Sequence, residues 1–243
     1  MQFKGILIAL LLLIFIVGGT AAESGYFTTI QTPQLVLSEA ETVYRTNLTR
    51  QAAGLPPLRW NAELSQAARW FAWDSVENRS DIYCGHEDTL GNWPNVRAEA
   101  FGYPGSAGSE NVYCGYVTPQ RAVEGWMDSG SGHANNILDP SSREIGLGYY
   151  RRDLDGDGYV VQDFGHDPAF APVVIENEAL NTTSSQVGLY IYNRADAGGF
   201  AGLRPATAMQ VSDDACYSDA AWQAYQPSLS WSLPGGEGWK AVY

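Results

Sequence analysis

The sequence predicts an α+β fold, in which helices precede a β-hairpin and a smaller all-β region follows. Apolar residues recur at three- and four-residue steps from Leu64 to Ser75, as on one face of a helix. Strand-like runs flank the turn at residues 153–158, and more of them follow residue 171. Helices followed by a hairpin are typical of a layered α+β domain.

The N-terminus has the pattern of an export signal. Lys4 precedes twelve uninterrupted apolar residues, from Ile6 to Val17, and small residues follow them. Such a run has signal-peptide length and is shorter than the roughly 20 residues that span a bilayer. We therefore expect residues 1–22 to be a signal peptide and the protein to be secreted. The alternative is a membrane anchor formed by an uncleaved N-terminal segment.

The composition is that of a globular protein with an acidic surface. The 243 residues are 45% apolar, which is enough to bury a sizeable core. Lys and Arg number 14 against 27 Asp and Glu, so the formal net charge is −13. Phosphate backbones would be repelled, and nucleic acid is therefore excluded as an expected partner. The composition leaves the oligomeric state open.

The first two helices are placed by their capping residues. The segment Ser38-Glu39-Ala40-Glu41 has the form of a capping box and predicts a helix that begins at Ser38. Gly54 and the prolines after it end that helix. Asn61 is the predicted N-cap of a second, amphipathic helix that continues to Ser75.

The next segment is interpreted as largely irregular. Residues 79–117 are rich in Gly, Pro and Asn, with one short helix expected around residues 96–101. Thr118, followed by a proline, predicts the start of another helix. Residues 145–150 and 159–164 then form the two strands of the predicted hairpin.

From about residue 171 the pattern changes to short strands between turn residues. Five such runs occur, at residues 173–175, 187–192, 208–211, 230–233 and 239–243. We interpret residues 172–243 as a small β-sandwich module, truncated before its closing strand.

Three short polar motifs carry the candidate chemistry. They are His86-Glu87-Asp88, Ser109-Glu110-Asn111 and the segment that begins with Gly132-His133. Imidazole and carboxylate are groups that a divalent metal favours and that general acid–base catalysis uses. His86 and His133 are therefore candidate ligands for Zn²⁺ or another divalent metal, with Glu110 beside them. The alternative is that these groups only satisfy one another.

Two cysteines flank these motifs. Cys84 precedes the first motif and Cys114 follows the second, so a disulfide between them is expected if the motifs converge. Such a bridge would contribute on the order of 3–4 kcal/mol in the chain-entropy model. Two buried free thiols are the alternative, and Cys216 is left unpaired in either case.

Between residues 35 and 165 an ordered set of motifs resembles a known family. The motifs are Asn47 to Arg50, Gly54-Leu55-Pro56-Pro57-Leu58, Trp60-Asn61, Leu64, His86, Gly102-Tyr103, Glu110-Asn111, Trp126-Met127, Gly132-His133 to Leu138, and Gln162-Asp163-Phe164-Gly165. They resemble the CAP superfamily of SCP-like extracellular domains, which includes cysteine-rich secretory, antigen 5 and pathogenesis-related proteins. The bacterial branch fits best.

The resemblance implies an α-β-α sandwich with an open cleft, in a domain that spans residues 35–168. The family's cleft holds two histidines and two glutamates, and His86, Glu110 and His133 match three of them. The fourth is the glutamate of a Trp-x-x-Glu motif, where this chain has Ser129. The candidate cleft is therefore His86, Glu110, His133 and Ser129.

Three functions are compatible with these residues. We expect an extracellular binding module, for which the resemblance implies sterol or fatty-acyl ligands. The competing class is a metal-assisted or serine hydrolase that uses the same cleft, with Ser129 or Ser131 beside His133 as the nucleophile. The third class is a surface adhesion or interaction protein with extracellular partners, which the β module favours.

The acidic turn of the hairpin is a candidate calcium loop. Asp153, Asp155 and Asp157 match the first half of such a loop, but Phe164 stands where an EF-hand would place its final glutamate. An ordinary acidic hairpin turn is the alternative.

Overall fold

The computed structural model describes residues 6–7, 25–29, 31–81, 83–115, 117–152, 158–169, 171–193 and 205–243. The predicted calcium loop, Asp153, Asp155 and Asp157, lies outside the described residues, as does the predicted signal peptide apart from Ile6 and Leu7. The helices are α1 Pro33–Ala52, α2 Ala62–Glu77, α3 Pro94–Ala100, α4 Pro119–Asp128 and α5 His133–Ile137. No helix of the described ranges is both long enough and apolar enough to span a membrane.

The strands form four sheets within these ranges. In chain order they are β1 Ile6–Leu7, β2 Arg59–Trp60, β3 Ser106–Cys114, β4 Glu144–Arg151, β5 Gly158–His166, β6 Val173–Ile175, β7 Asn181–Thr182, β8 Gln186–Ile191, β9 Ala208–Met209, β10 Gln223–Ala224 and β11 Ser228–Ser232. The main sheet has the order β2-β4-β5-β3. Its β4–β5 hairpin is antiparallel, as predicted, and β2 joins β4 in parallel.

Helices cover both faces of the main sheet. On one face α2 packs against β4 and β5, and Phe71 meets Val161 in a buried cluster. On the other face α1 and α4 contribute Val43 and Trp126 to a cluster that contains Leu147 of β4. Alternate residues of a strand point to opposite faces, so one sheet serves both cores. The α+β fold class with an α-β-α sandwich is thereby confirmed.

The seam between α2 and β4 depends on two glycines. A Cβ atom at Gly146 would lie 2.3 Å from the carbonyl carbon of Leu64, and one at Gly148 would lie 2.2 Å from that of Ala68. Both neighbours are backbone atoms in the middle of a helix, so no side-chain rotation relieves the overlap. The missing side chains allow α2 to approach the sheet this closely.

Helix α1 begins five residues before the predicted start at Ser38. Thr32 and Pro33 form the cap and first turn, and the Thr32 hydroxyl accepts a hydrogen bond from a backbone N–H of that turn. Glu39 then lies inside the helix, where it is buried in an ion pair with Arg69 of α2. The capping-box interpretation is wrong because Ser38 and Glu41 both lie inside α1, where the Ser38 hydroxyl donates to the carbonyl oxygen of Gln34 and Glu41 pairs with Arg45.

The irregular interpretation of residues 79–117 holds only in part. The short helix is confirmed as α3, but residues 106–114 form β3, which pairs with β5 along its length. The register shifts between Ala107 and Ser109, where β3 contains Gly108. Glycine, serine and asparagine gave β3 little strand propensity, and pairing with β5 overrides that weakness.

The C-terminal residues are built from short antiparallel strands, as predicted. One sheet has the order β11-β8-β6 and another pairs β10 with β9, around a core of Val187, Leu189, Met209, Val211 and Leu233. No strand is assigned at residues 239–243, where Tyr243 exchanges two backbone hydrogen bonds with Ser212. The Tyr192 hydroxyl donates to the carbonyl oxygen of Pro57 at 2.9 Å and so links this region to the main fold. The domain boundary near residue 170 stays a prediction.

Replacing Gly148 with alanine is expected to lower the free energy of unfolding by about 3 kcal/mol or more, because the new methyl group overlaps the backbone of α2. Urea unfolding followed by circular dichroism measures the change. The matched control is Gly108→Ala in β3, where a Cβ atom meets nothing within 4 Å. Equal stabilities of the two variants would contradict the close approach of α2 to β4.

Candidate functional site

The candidate cleft lies at the β3 edge of the main sheet. Glu110 comes from the middle of β3, His86 from the loop before α3, and His133 is the first residue of α5. The structure thus brings together three groups that are separated by up to 47 positions in the chain, counted from 86 to 133. Glu110, which the sequence interpretation placed in an irregular segment, instead lies on a paired strand.

Glu110 is buried and both of its carboxylate oxygens have partners. Its Oε1 lies 2.8 Å from Nδ1 of His86, and its Oε2 accepts a hydrogen bond from Nη2 of Arg97 at 2.5 Å. Arg97 is fully buried and also donates from Nη1 to the carbonyl oxygens of His86 and Asn92, each at 2.9 Å. Arg97 therefore fixes both the carboxylate and the loop that carries the first imidazole.

The predicted disulfide between Cys84 and Cys114 is confirmed. It joins the residue two places before His86 to the last residue of β3, four places after Glu110. The covalent bond thus holds the imidazole loop against the strand that carries the carboxylate. Cys216 is a free, exposed thiol.

His133 is held by two serines and by the edge of β3. Oγ of Ser129 lies 2.9 Å from Nδ1 of His133, and Oγ of Ser131 lies 3.0 Å from the same atom. The backbone turns into α5 at Gly132, whose φ of 93° suits a glycine. Nδ2 of Asn111 donates to the carbonyl oxygen of His133 at 3.2 Å. Ser129, where the family pattern has a glutamate, thus orients this imidazole.

Both imidazoles are neutral at pH 7. Burial, and then the charge of Arg97, lower the pKa of His86. Burial, and then the charge of His86, lower the pKa of His133. In each ring Nδ1 is engaged as described above. Among the described residues, Nε2 is therefore the ring nitrogen of each histidine that is left for a ligand.

Asp163 belongs to the site, although the sequence analysis named it only as part of a family motif and not as a site residue. It lies directly opposite Glu110 on β5 and is 1% exposed. Burial, and then the charge of Glu110, raise the pKa of Asp163 well above its usual range. Burial also raises the pKa of Glu110, to about 7, although the charge of Arg97 lowers it. One buried cation faces two carboxyl groups, so the pair favours a shared proton over two ionised carboxylates.

The cleft does not offer the ligands of a tightly held metal ion. Across the described ranges, no group of three or more His, Cys, Asp and Glu side chains is placed to hold one. Glu110 is committed to Arg97 and His86, which leaves the two imidazoles. Structural zinc sites use four protein ligands and catalytic sites three.

A three-layer sandwich with two imidazoles and a buried glutamate at its sheet edge is the arrangement of a CAP-type, SCP-like domain. The model of the cysteine-rich secretory protein (CAP) family matches residues 43–164, about half of the chain. The chain belongs to this family.

Two curated relatives come from Bacillus subtilis (strain 168). The uncharacterized protein YkwD is 35% identical over 123 residues, which are 50% of this chain and 46% of that protein. The uncharacterized membrane protein YlbC is 28% identical over 127 residues, or 52% of this chain and 34% of that protein. The matches therefore span less than half the length of either relative.

Solved structures with similar folds are more distant in sequence. An extracellular SCP-domain protein from Bacillus anthracis str. Ames has a TM-score of 0.47 at 23% identity, covering 58% of this chain and 45% of that chain. An outer surface protein from Borrelia burgdorferi has a TM-score of 0.47 at 21% identity, covering 57% of this chain and 98% of that chain.

Asp163→Asn is expected to change how stability depends on pH. The raised pKa means that the neutral carboxyl stabilises the fold fully below its ordinary pKa, and this contribution is lost as the pH rises through the raised value. The wild type should therefore lose stability relative to the variant as the pH rises from about 4 towards the raised pKa, by up to about 1.4 kcal/mol per pH unit. Urea unfolding across this range measures the difference.

The exposed Asp81→Asn serves as the control for that series, because its carboxyl stands in solvent. Parallel stability curves for the wild type and Asp163→Asn would show that Asp163 is ionised in the folded protein.

Proposed function

We propose that this chain is a secreted, extracellular binding module whose cleft holds a ligand rather than catalysing a reaction. The observation that carries the proposal is the commitment of Glu110, whose two oxygens are bound by His86 and Arg97. The second glutamate of the family pattern is replaced by Ser129, which bonds to His133. The cleft therefore does not offer a pair of available carboxyl groups for acid–base catalysis. The export pattern of the N-terminus supports an extracellular location.

The hydrolase alternative is favoured by one observation, the contact of Ser129 and Ser131 with His133. Activation of a serine also needs a group that orients the histidine. Both hydroxyls meet Nδ1, and the opposite nitrogen of His133 donates no hydrogen bond to a described carboxylate that would support such a triad. The contact fits a binding cleft better than a nucleophile.

A groove along α1 is the proposed site for a sterol or fatty-acyl ligand. It has a volume of about 450 Å³ and lies between α1, the start of α4 and residues 179–181. Leu37 and Leu180 line it and are 45% and 36% exposed, so both offer apolar surface. Tyr44 and Pro119 complete its less polar wall. An alkyl chain along this groove would cover side chains that are otherwise left in water.

Leu37→Asp is expected to weaken the binding of palmitate and of cholesteryl acetate by about tenfold or more, because burying a leucine contributes about 1.5–3 kcal/mol. Lipid retained by the purified full chain is extracted and quantified by mass spectrometry. Leu48→Asp is the matched control, since Leu48 lies on the same helix, is 39% exposed and does not line the groove.

Equal retention by Leu37→Asp and Leu48→Asp, or no retention by the wild type, would refute the lipid proposal. Release of free cholesterol from cholesteryl acetate above the level seen with His133→Ala would favour the hydrolase instead.

We also propose that Zn²⁺ binds weakly in the cleft through Nε2 of His86 and of His133, with water as its other ligands. Two protein ligands support an exchangeable ion and not a resident one. Because burial lowers the pKa of both imidazoles, they stay neutral and available below the ordinary imidazole pKa of about 6.5.

Isothermal titration with Zn²⁺ is expected to give one weak site in the wild type, and His86→Ala or His133→Ala should each abolish the heat because one of two ligands is lost. His166→Ala is the matched control, since Nδ1 of His166 contacts the carbonyl oxygen of Ser141 outside the cleft. Equal heats for all four proteins would rule out the proposed ligands.

A further inference from the structure

We propose that the cleft binds a neutral glycan, with the indole of Trp93 stacking on the face of a sugar ring and the hydroxyl of Ser131 and Nε2 of His133 contacting its hydroxyl groups. The inference rests on the proposed role of the cleft as a binding surface. It does not depend on the acyl groove along α1.

Trp93 is a large apolar side chain left in water beside the cleft. It is 55% exposed, whereas Trp70 and Trp126 are each 1% exposed in the two cores. Its ring lies 6.5 Å from the ring of His86, centroid to centroid, and the two planes are inclined by only 25°. Trp93 is the N-cap residue of α3 but makes no side-chain capping bond. The helix therefore does not need the indole, which is free to present an aromatic face.

The cleft offers a hydroxyl and imidazoles to a ligand, because its central charged pair is buried. The charges of Glu110 and Arg97 are buried and paired with each other. The exposed hydroxyl of Ser131 can donate and accept. Uncharged groups that donate and accept hydrogen bonds, next to a flat apolar face, match a pyranose ring, which has a C–H face and a rim of hydroxyl groups.

Two other ligand classes fit this cleft less well. A peptide added as a strand would need free backbone groups on the outer edge of β3. On that edge the carbonyl oxygen of Glu110 already accepts a hydrogen bond from Nδ2 of Asn136. The carbonyl oxygen of Val112 likewise accepts one from Nε1 of Trp126. A polyanionic glycan would be repelled by the net charge of −13. An uncharged saccharide meets neither obstacle.

Titration of the full chain with the hexasaccharide of β-1,4-linked N-acetylglucosamine tests the inference, by calorimetry and by saturation-transfer NMR. The wild type should bind saturably, and Trp93→Ala should bind at least about tenfold more weakly because the aromatic face that the sugar would cover is lost. Trp93→Tyr keeps an aromatic face and should stay within about threefold of the wild type. Ser131→Ala removes one exposed hydroxyl and should weaken binding by about threefold to tenfold.

Trp222→Ala is the matched control, because Trp222 is 71% exposed in the C-terminal region, outside the cleft. Its binding should equal that of the wild type. No saturable binding by the wild type, undiminished binding by Trp93→Ala, an equal loss in Trp222→Ala, or tighter binding of a heparin hexasaccharide would each overturn the inference. Leu37→Asp should bind the sugar normally, so failure of the lipid proposal and failure of this one give different results.

Discussion

The buried ion pair between Arg97 and Glu110 is the interaction on which the site depends. Arg97 is inaccessible to solvent, and its guanidinium lies 3.9 Å above the ring of Phe71. The same group holds the carbonyl oxygens of His86 and Asn92, so one side chain connects α2, the imidazole loop and β3. Removing one partner of such a pair leaves an uncompensated buried charge, which costs about 3–5 kcal/mol. The position of the His86 imidazole therefore depends on the buried ion pair of Arg97 and Glu110.

Local signals predicted the elements whose ends are capped by their own residues. Asn61 caps α2 and Thr118 caps α4 as expected, because an N-cap acts within one helical turn. The cleft histidines, His86 and His133, were identified from the order of the family motifs along the chain. The strand that carries Glu110 was missed because its strength comes from pairing with β5. The role of Asp163 was missed for a related reason, since strand register, which local sequence does not encode, places it opposite Glu110.

The replacement of a glutamate by Ser129 changes the character of the cleft. A second carboxylate would add a negative charge beside imidazoles that burial already keeps neutral. Ser129 instead supplies a hydroxyl that orients His133 without a charge. Two carbonyl oxygens on the outer edge of β3 are already bonded to side chains, and Trp93 lies beside the cleft, next to the ring of His86.

The bond between Cys84 and Cys114 links the shape of the cleft to the chemistry of its surroundings. Cytosolic thiols are kept reduced by glutathione and thioredoxin, whereas the compartments beyond the membrane oxidise them. A copy that folds among reduced thiols holds the loop of His86 by noncovalent contacts, among them those of Arg97 and Glu110. The disulfide adds a covalent tether between that loop and β3, so the reduced and oxidised forms of the chain differ in how the loop is held.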